Sequence, residues 1–197
     1  VESFELNDVH KGGAVFDVEK LRWVNRQYLT AKREDDFKAE AFRRMEPGIG
    51  RRGLPWNENI AHRIVPIIRE RVTIWSDLDT MIDTGELDFF FADPVPEKAS
   101  IPQKNQPAEE AVRHLEKLIQ IFNDAPESAF ADPDTVKALI WEYAENEGRG
   151  NVLWPLRFSL SGRAKSPDPF TIASAVGKEA TIRRIENARQ TLLRTES

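Results

Sequence analysis

The sequence predicts an all-α protein, two helical bundle domains in series, and three observations carry that prediction. Apolar residues recur three and four positions apart along nearly the whole chain, the spacing that lines one face of a helix. Good helix caps, Asp17, Asn57, Asp132 and Asp168, stand directly ahead of those stripes. A single polar stretch with four prolines, Pro94 to Pro107, separates an earlier set of stripes from a later one.

In chain order, Val18, Leu21, Val24 and Tyr28 follow Asp17 at helical spacing and predict a helix over about residues 17–29. Phe37, Ala41 and Met45 mark a second helix, which Pro47 and the glycines of "PGIGRRG" are expected to end. A third begins at Asn57 and carries Ile60, Ile64, Ile67, Ile68 and Val72. Pro66 removes a backbone donor inside it and is expected to kink or divide it. Trp75, Leu78 and Ile82 resume a helix before Gly85, and "FFF" at 89–91 reads as a short buried segment. Beyond the proline-rich stretch, Val112, Leu115, Ile119 and Phe122 form one helix. Asp132 with Pro133 opens another, which Gly148 and Gly150 should end. "LWPLRFSLSG" is then a short helix with Leu153, Leu156 and Leu160 inside, Pro155 in its first turn and Gly162 as its stop. Asp168 and Pro169 repeat the cap-plus-proline signal, Gly177 ends that helix, and Ile182, Ile185 and Leu192 lie on a final amphipathic one.

Composition narrows function further. With 197 residues, 40% of them apolar, five Trp and eleven Phe, the chain has enough material for real cores. No run approaches the roughly 18–20 apolar residues of a membrane span, and Val1 does not open a signal peptide, so a soluble, cytoplasmic setting is expected. Zero Cys excludes disulfides and thiolate chemistry. His10, His62 and His114 fall in no ligand-like spacing, so no metal site is expected. The net charge of −5 is unevenly spread: residues 72–147 carry −12, whereas residues 148–197 carry +5. That pattern suits a surface that binds phosphate on one side and stays solvated elsewhere. No phosphate-cradling glycine loop, zincin helix or nucleophile elbow is present, and no residue is expected to be catalytic.

"VLWPLRFSLSG", a proline-containing loop and "AVGKEATIRRIENA" resemble, in this order, the C-terminal region of bacterial-type glutamyl-tRNA synthetases. "AVFDVEKLRWVNRQYL" is similar to the helix that follows that family's catalytic lysine signature. Ser159, Ser161 and Val176 replace the usual Ala, Thr and Leu, and Pro66 stands in a helix usually free of proline. The resemblance covers nearly the whole chain. It implies a tRNA anticodon-recognition module of a glutamate–tRNA ligase, in which residues 1–30 end the stem-contact region and contribute a linking helix. Residues 31–104 and 105–197 would be the two helical anticodon-binding domains. It implies further that ATP and Mg²⁺ serve the full enzyme and that this fragment needs no cofactor, that the partner is glutamate-specific tRNA rather than a membrane, and that the molecule is a monomer. The alternative is a helical protein-interaction scaffold without RNA binding.

Glutamate anticodons end in C and glutamine anticodons in G. Unpaired cytosine offers O2 and N3 as adjacent acceptors, where guanine places donors, so an arginine fork matches the first and opposes the second. Arg71 of "PIIRERVTIW" aligns with the family's base-reading arginine. Arg157 of "PLR" matches a position that meets the anticodon, and Ser166, Pro167 and Pro169 match the loop that receives its bases; Pro169 replaces a larger aliphatic. A stiff proline loop packs against a base without ordering much chain. Arg163, Lys165, Arg183 and Arg184 are the expected phosphate partners.

Overall fold

The computed structural model describes residues 17–194, and among them every regular element is helical. Residues 1–16 of the expected first segment lie outside the described residues. The first helix, α1, spans Val18–Ala31, with the Asp17 carboxylate accepting from the Lys20 N–H at 3.0 Å. Its predicted stripe is exposed rather than packed: Tyr28 is 76% and Val18 52% accessible, and Leu29 alone is buried. Arg69 ties its end down by donating to the carbonyls of Thr30 (2.9 Å) and Lys32 (2.5 Å).

Helix α2 spans Glu34–Arg51 and buries Phe37, Ala41 and Met45 completely. It runs through Pro47, where the sequence predicted an end. Ile49, one turn beyond Met45, is fully buried, and Gly48 lets Ile82 approach so closely that a Cβ would meet Ile82 Cγ2 at 2.6 Å. Packing thus extends the helix past its breaker, and the stop falls at Gly53, whose φ of +72° suits glycine. Helix α3 spans Glu58–Arg71, capped by Asn57, which accepts from Ile60 N–H at 3.1 Å. Pro66 does not divide it. The ring lies on the exposed side, while Ile64, Val65 and Ile68 hold the opposite face in the core. Helix α4 spans Trp75–Asp83, its start held by Asp77, which accepts from the N–H groups of Thr73 and Ile74 at 2.7 and 3.1 Å. The short α5, Asp88–Phe91, buries all three phenylalanines.

The proline-rich stretch is docked, not free. Ile101 is fully buried, and the indole of Trp154 donates to the Ser100 carbonyl at 3.2 Å. Helices α6 (Ala108–Asp124), α7 (Pro133–Glu147), α8 (Arg149–Ser161), α9 (Pro169–Val176) and α10 (Lys178–Leu193) then pack mutually, with α10 lying across α6, α8 and α9. Capping by Asp132 and Asp168, and the turns at Gly148, Gly162 and Gly177, fall where the sequence places them. Two details differ. Gly150 lies inside the first turn of α8, and because α8 begins at Arg149, Pro155 is mid-helix. A mid-helix proline leaves the carbonyl four residues back without its donor. Here that carbonyl belongs to Asn151, and Gln106 of the proline-rich stretch donates to it at 2.9 Å. The breaker and the docked strap therefore satisfy each other. Helix α9 also packs against α3, and Arg63 reaches the Ser174 carbonyl at 3.4 Å.

Candidate nucleic-acid interface

The contact of α3 and α5 with α8 and α9 leaves an open cleft of about 890 Å³. One wall is the end of α3, the turn before α5 and α5 itself, contributing Ile67, Glu70, Arg71, Glu86 and Phe89. The other is Arg157 on α8 with the loop from Arg163 to Asp168. Gly162, in the left-handed region at φ +66°, ends α8 and sends the chain into that loop. Ser161 ties the turn, donating to the Arg157 carbonyl at 2.9 Å and accepting from Arg163 N–H at 3.2 Å. Asp168 closes the loop by accepting from the N–H groups of Phe170 and Thr171, at 3.0 and 2.9 Å.

Arg157 shapes this loop. Its Nη2 donates to the Ser166 carbonyl at 2.7 Å, and its Nε faces Ser166 Oγ and the Pro167 carbonyl at 3.2 and 3.3 Å. Much of its donor capacity is thus spent within the protein, holding Ser166 and Pro167 at the cleft. Arg71 is half-exposed and donates from Nη2 to Glu86 Oε2 at 2.6 Å. Arg163 and Lys165 line the cleft with side chains that donate to no protein group among the described residues. Four cations, Arg71, Arg157, Arg163 and Lys165, stand against the three carboxylates of Glu70, Glu86 and Asp168; Arg71 and Glu86 hold each other, so the positive character of the cleft rests on Arg163 and Lys165.

Six of the expected residues therefore meet at one place: Arg71, Arg157, Arg163, Lys165, Ser166 and Pro167. Three do not. Pro169 is buried as the first residue of α9 and contributes a helix start instead of a base contact. Arg183 makes a two-point pair with Asp93, Nε to Oδ2 at 2.6 Å and Nη2 to Oδ1 at 3.1 Å. Arg184 corrects the expectation outright. It is 3% exposed, and its three nitrogens donate to Asp93 Oδ1 (2.8 Å), the Leu160 carbonyl (3.0 Å) and the Ala92 carbonyl (3.2 Å), so it presents nothing to a phosphate. The bond from Arg183, joined by that from Arg184, holds the Asp93 carboxyl below its ordinary range despite partial burial. Burial lowers the Arg184 value, and Asp93 opposes that. The periodicity carried this signal, because residue 184 shares the buried face of α10 with Thr181, Ile185 and Ala188. Glu86, by contrast, had no signal, since its pairing with Arg71 is purely tertiary.

The profile of the anticodon binding domain family matches residues 35–189. The glutamate–tRNA ligase of Flavobacterium psychrophilum is 34% identical over 98% of this chain and 36% of its own length; that of Thermus thermophilus is 30% identical over 95% and 38%. The crystal structure of a glutamate tRNA ligase from Elizabethkingia meningosepticum in complex with its amino acid superposes with a TM-score of 0.71 at 33% identity, covering 96% of this chain and 35% of that one. The chain thus spans little more than a third of the length of the curated relatives it matches. It belongs to the anticodon binding domain family.

Proposed function

We propose that this chain, as a member of the anticodon binding domain family, binds the anticodon arm of a glutamate-specific tRNA and is the recognition part of a glutamate–tRNA ligase. The observation that carries the reading is the convergence of Arg71, Arg157, Arg163, Lys165, Ser166 and Pro167, from opposite halves of the chain, on one cleft. Its volume of about 890 Å³ falls within the roughly 300–1,000 Å³ of sites that enclose organic ligands, which is room for unstacked bases. Arg163 and Lys165 supply charge for the backbone, the Ser166–Pro167 loop a stiff surface for a base, and Arg71 a donor fork for the last anticodon position.

In the whole ligase, glutamate is joined to its tRNA at the expense of ATP with Mg²⁺. The share of this chain is recognition, which needs no cofactor. Both walls of the cleft come from one chain, so a monomer in the cytoplasm suffices. A titration with a fluorescent anticodon stem-loop tests the reading. Saturable binding that prefers an anticodon ending in C over one ending in G supports it, and absence of RNA binding leaves the scaffold role in its place.

A further inference from the structure

Arg71 ends α3, and Glu86 follows the Gly85 turn after α4. Their contact is end-on, one nitrogen to one oxygen at 2.6 Å. A two-point pair, such as the one Arg52 makes with Asp88, would occupy both carboxylate oxygens and two nitrogens. The end-on pair leaves Nη1, the second N–H of Nη2 and the remaining carboxylate lone pairs without protein partners among the described residues. Both side chains stay partly exposed, at 43% and 39%, and both line the cleft. This pair sets an acceptor, Glu86 Oε2, 2.6 Å from a donor, Arg71 Nη2, and the same guanidinium carries a second donor, Nη1.

We propose that Arg71 and Glu86 form one composite reader whose exposed edge imitates the Watson–Crick edge of guanine, with Glu86 accepting from the N4 amino group of cytosine while Arg71 donates to N3 and O2. The inference rests on the tRNA-binding reading above and adds to it a second specificity residue, Glu86. Guanine itself presents an acceptor followed by two donors, so the imitation holds group by group. A carboxylate accepting from cytosine N4 is an established base contact, and here it stands beside the arginine. Each base at the last anticodon position then has a defined fit. Cytosine satisfies all three groups. Adenine satisfies the first two and faces the third with a C–H. Uracil satisfies only the last and sets O4 against the carboxylate and its N3–H against a donor. Guanine opposes all three. An arginine alone would draw no distinction at N4.

The test uses the full chain and anticodon stem-loops at one fixed salt concentration, differing only in the last anticodon base: cytosine, adenine, uracil, guanine, or 2-pyrimidinone, which is cytosine without its N4 amino group. Binding should weaken in the order cytosine, adenine, uracil, guanine, and 2-pyrimidinone should bind the unaltered protein at least about tenfold more weakly than cytosine does, the size of a missing hydrogen bond to a charged group. In Glu86→Ala the two should bind equally. Glu86→Gln, which keeps an acceptor for Arg71 but can also turn its amide N–H₂ towards O4, should raise uracil relative to cytosine. Equal binding of cytosine and 2-pyrimidinone to the unaltered protein overturns the composite reader while leaving anticodon recognition standing. So does an N4 penalty of the same size in Glu86→Ala, which would make Glu86 only a prop for Arg71. Indifference to all five bases overturns the anticodon reading itself.

Discussion

Arg183 and Arg184 on α10, and Arg163 and Lys165 in the loop after α8, carry the same charge in the same basic region of the chain, yet the fold gives them different work. The first pair is tied to Asp93, and Arg184 is 3% exposed. The second pair faces a cleft with no protein partner among the described residues. Arg157 lies between these extremes, on the cleft but largely spent on the loop beside it. The difference teaches that a cation's position relative to the buried stripe, and the presence of a carboxylate across the tertiary contact, decide whether its charge is spent within the fold or left facing a cleft.

The comparison breaks first at Asp93. Asp93→Ala leaves the Arg184 guanidinium buried and unpaired, and removing one partner of a buried pair costs about 3 kcal/mol, which corresponds to roughly 6–12 °C in melting temperature for a chain of this size. RNA affinity of the folded fraction should hold. An unchanged melting temperature would show that the α10 arginines do not serve the fold. The same pair has a pH signature. The Asp93 carboxyl is held below its ordinary range, so its contribution is complete above the unfolded-state value and is lost as pH falls through the lower folded value. Thermal melts carried down to about pH 3 should lose less stability in Asp93→Ala than in the unaltered protein.

Arg157 should register on both scales. Arg157→Lys keeps the charge but cannot span Ser166 and Pro167 from a planar fork, so stability should fall by about 1–2 kcal/mol. Affinity for stem-loops ending in C and in G should fall together, because the Ser166–Pro167 surface is displaced for both. A loss confined to one RNA would instead make Arg157 a base reader. The smallest effect on the fold belongs to Arg163→Ala with Lys165→Ala, whose stability should stay within about 0.5 kcal/mol of the unaltered protein. Their effect is electrostatic: the logarithmic salt slope of RNA binding should become shallower by about 0.7 for each phosphate that is no longer neutralised. An unchanged slope would class these two with the idle surface.

Much of the fold was legible because caps and stripes are local. Asp17, Asn57, Asp132 and Asp168 accept the N–H bonds their positions imply, and Gly53, Gly85, Gly148, Gly162 and Gly177 adopt positive φ at helix ends and turns. The prolines depart from expectation for a shared reason. Whether a helix continues through Pro47 or Pro155 depends on what lies across from it, Ile82 against Gly48 in one case and Gln106 on the Asn151 carbonyl in the other. Neither partner is near in sequence. The cleft divides in the same way. Its cations were legible as residue types and by resemblance, whereas Glu86 and the anchoring role of Arg157 exist only in the folded contacts.

The central claim, that this cleft reads the last anticodon base through Arg71, is tested most directly by Arg71→Gln titrated against two stem-loops that differ only in ending the anticodon with C or with G. Glutamine keeps a donor and much of the length but loses the charge and the fork. Binding to the C-ending RNA should weaken by roughly 1–3 kcal/mol, the worth of a bidentate base contact. The G-ending RNA should change little, because the amide can turn its carbonyl towards the guanine donors, and the two affinities should converge. An equal loss for both RNAs would reduce Arg71 to a phosphate contact, and no loss for either would contradict the account.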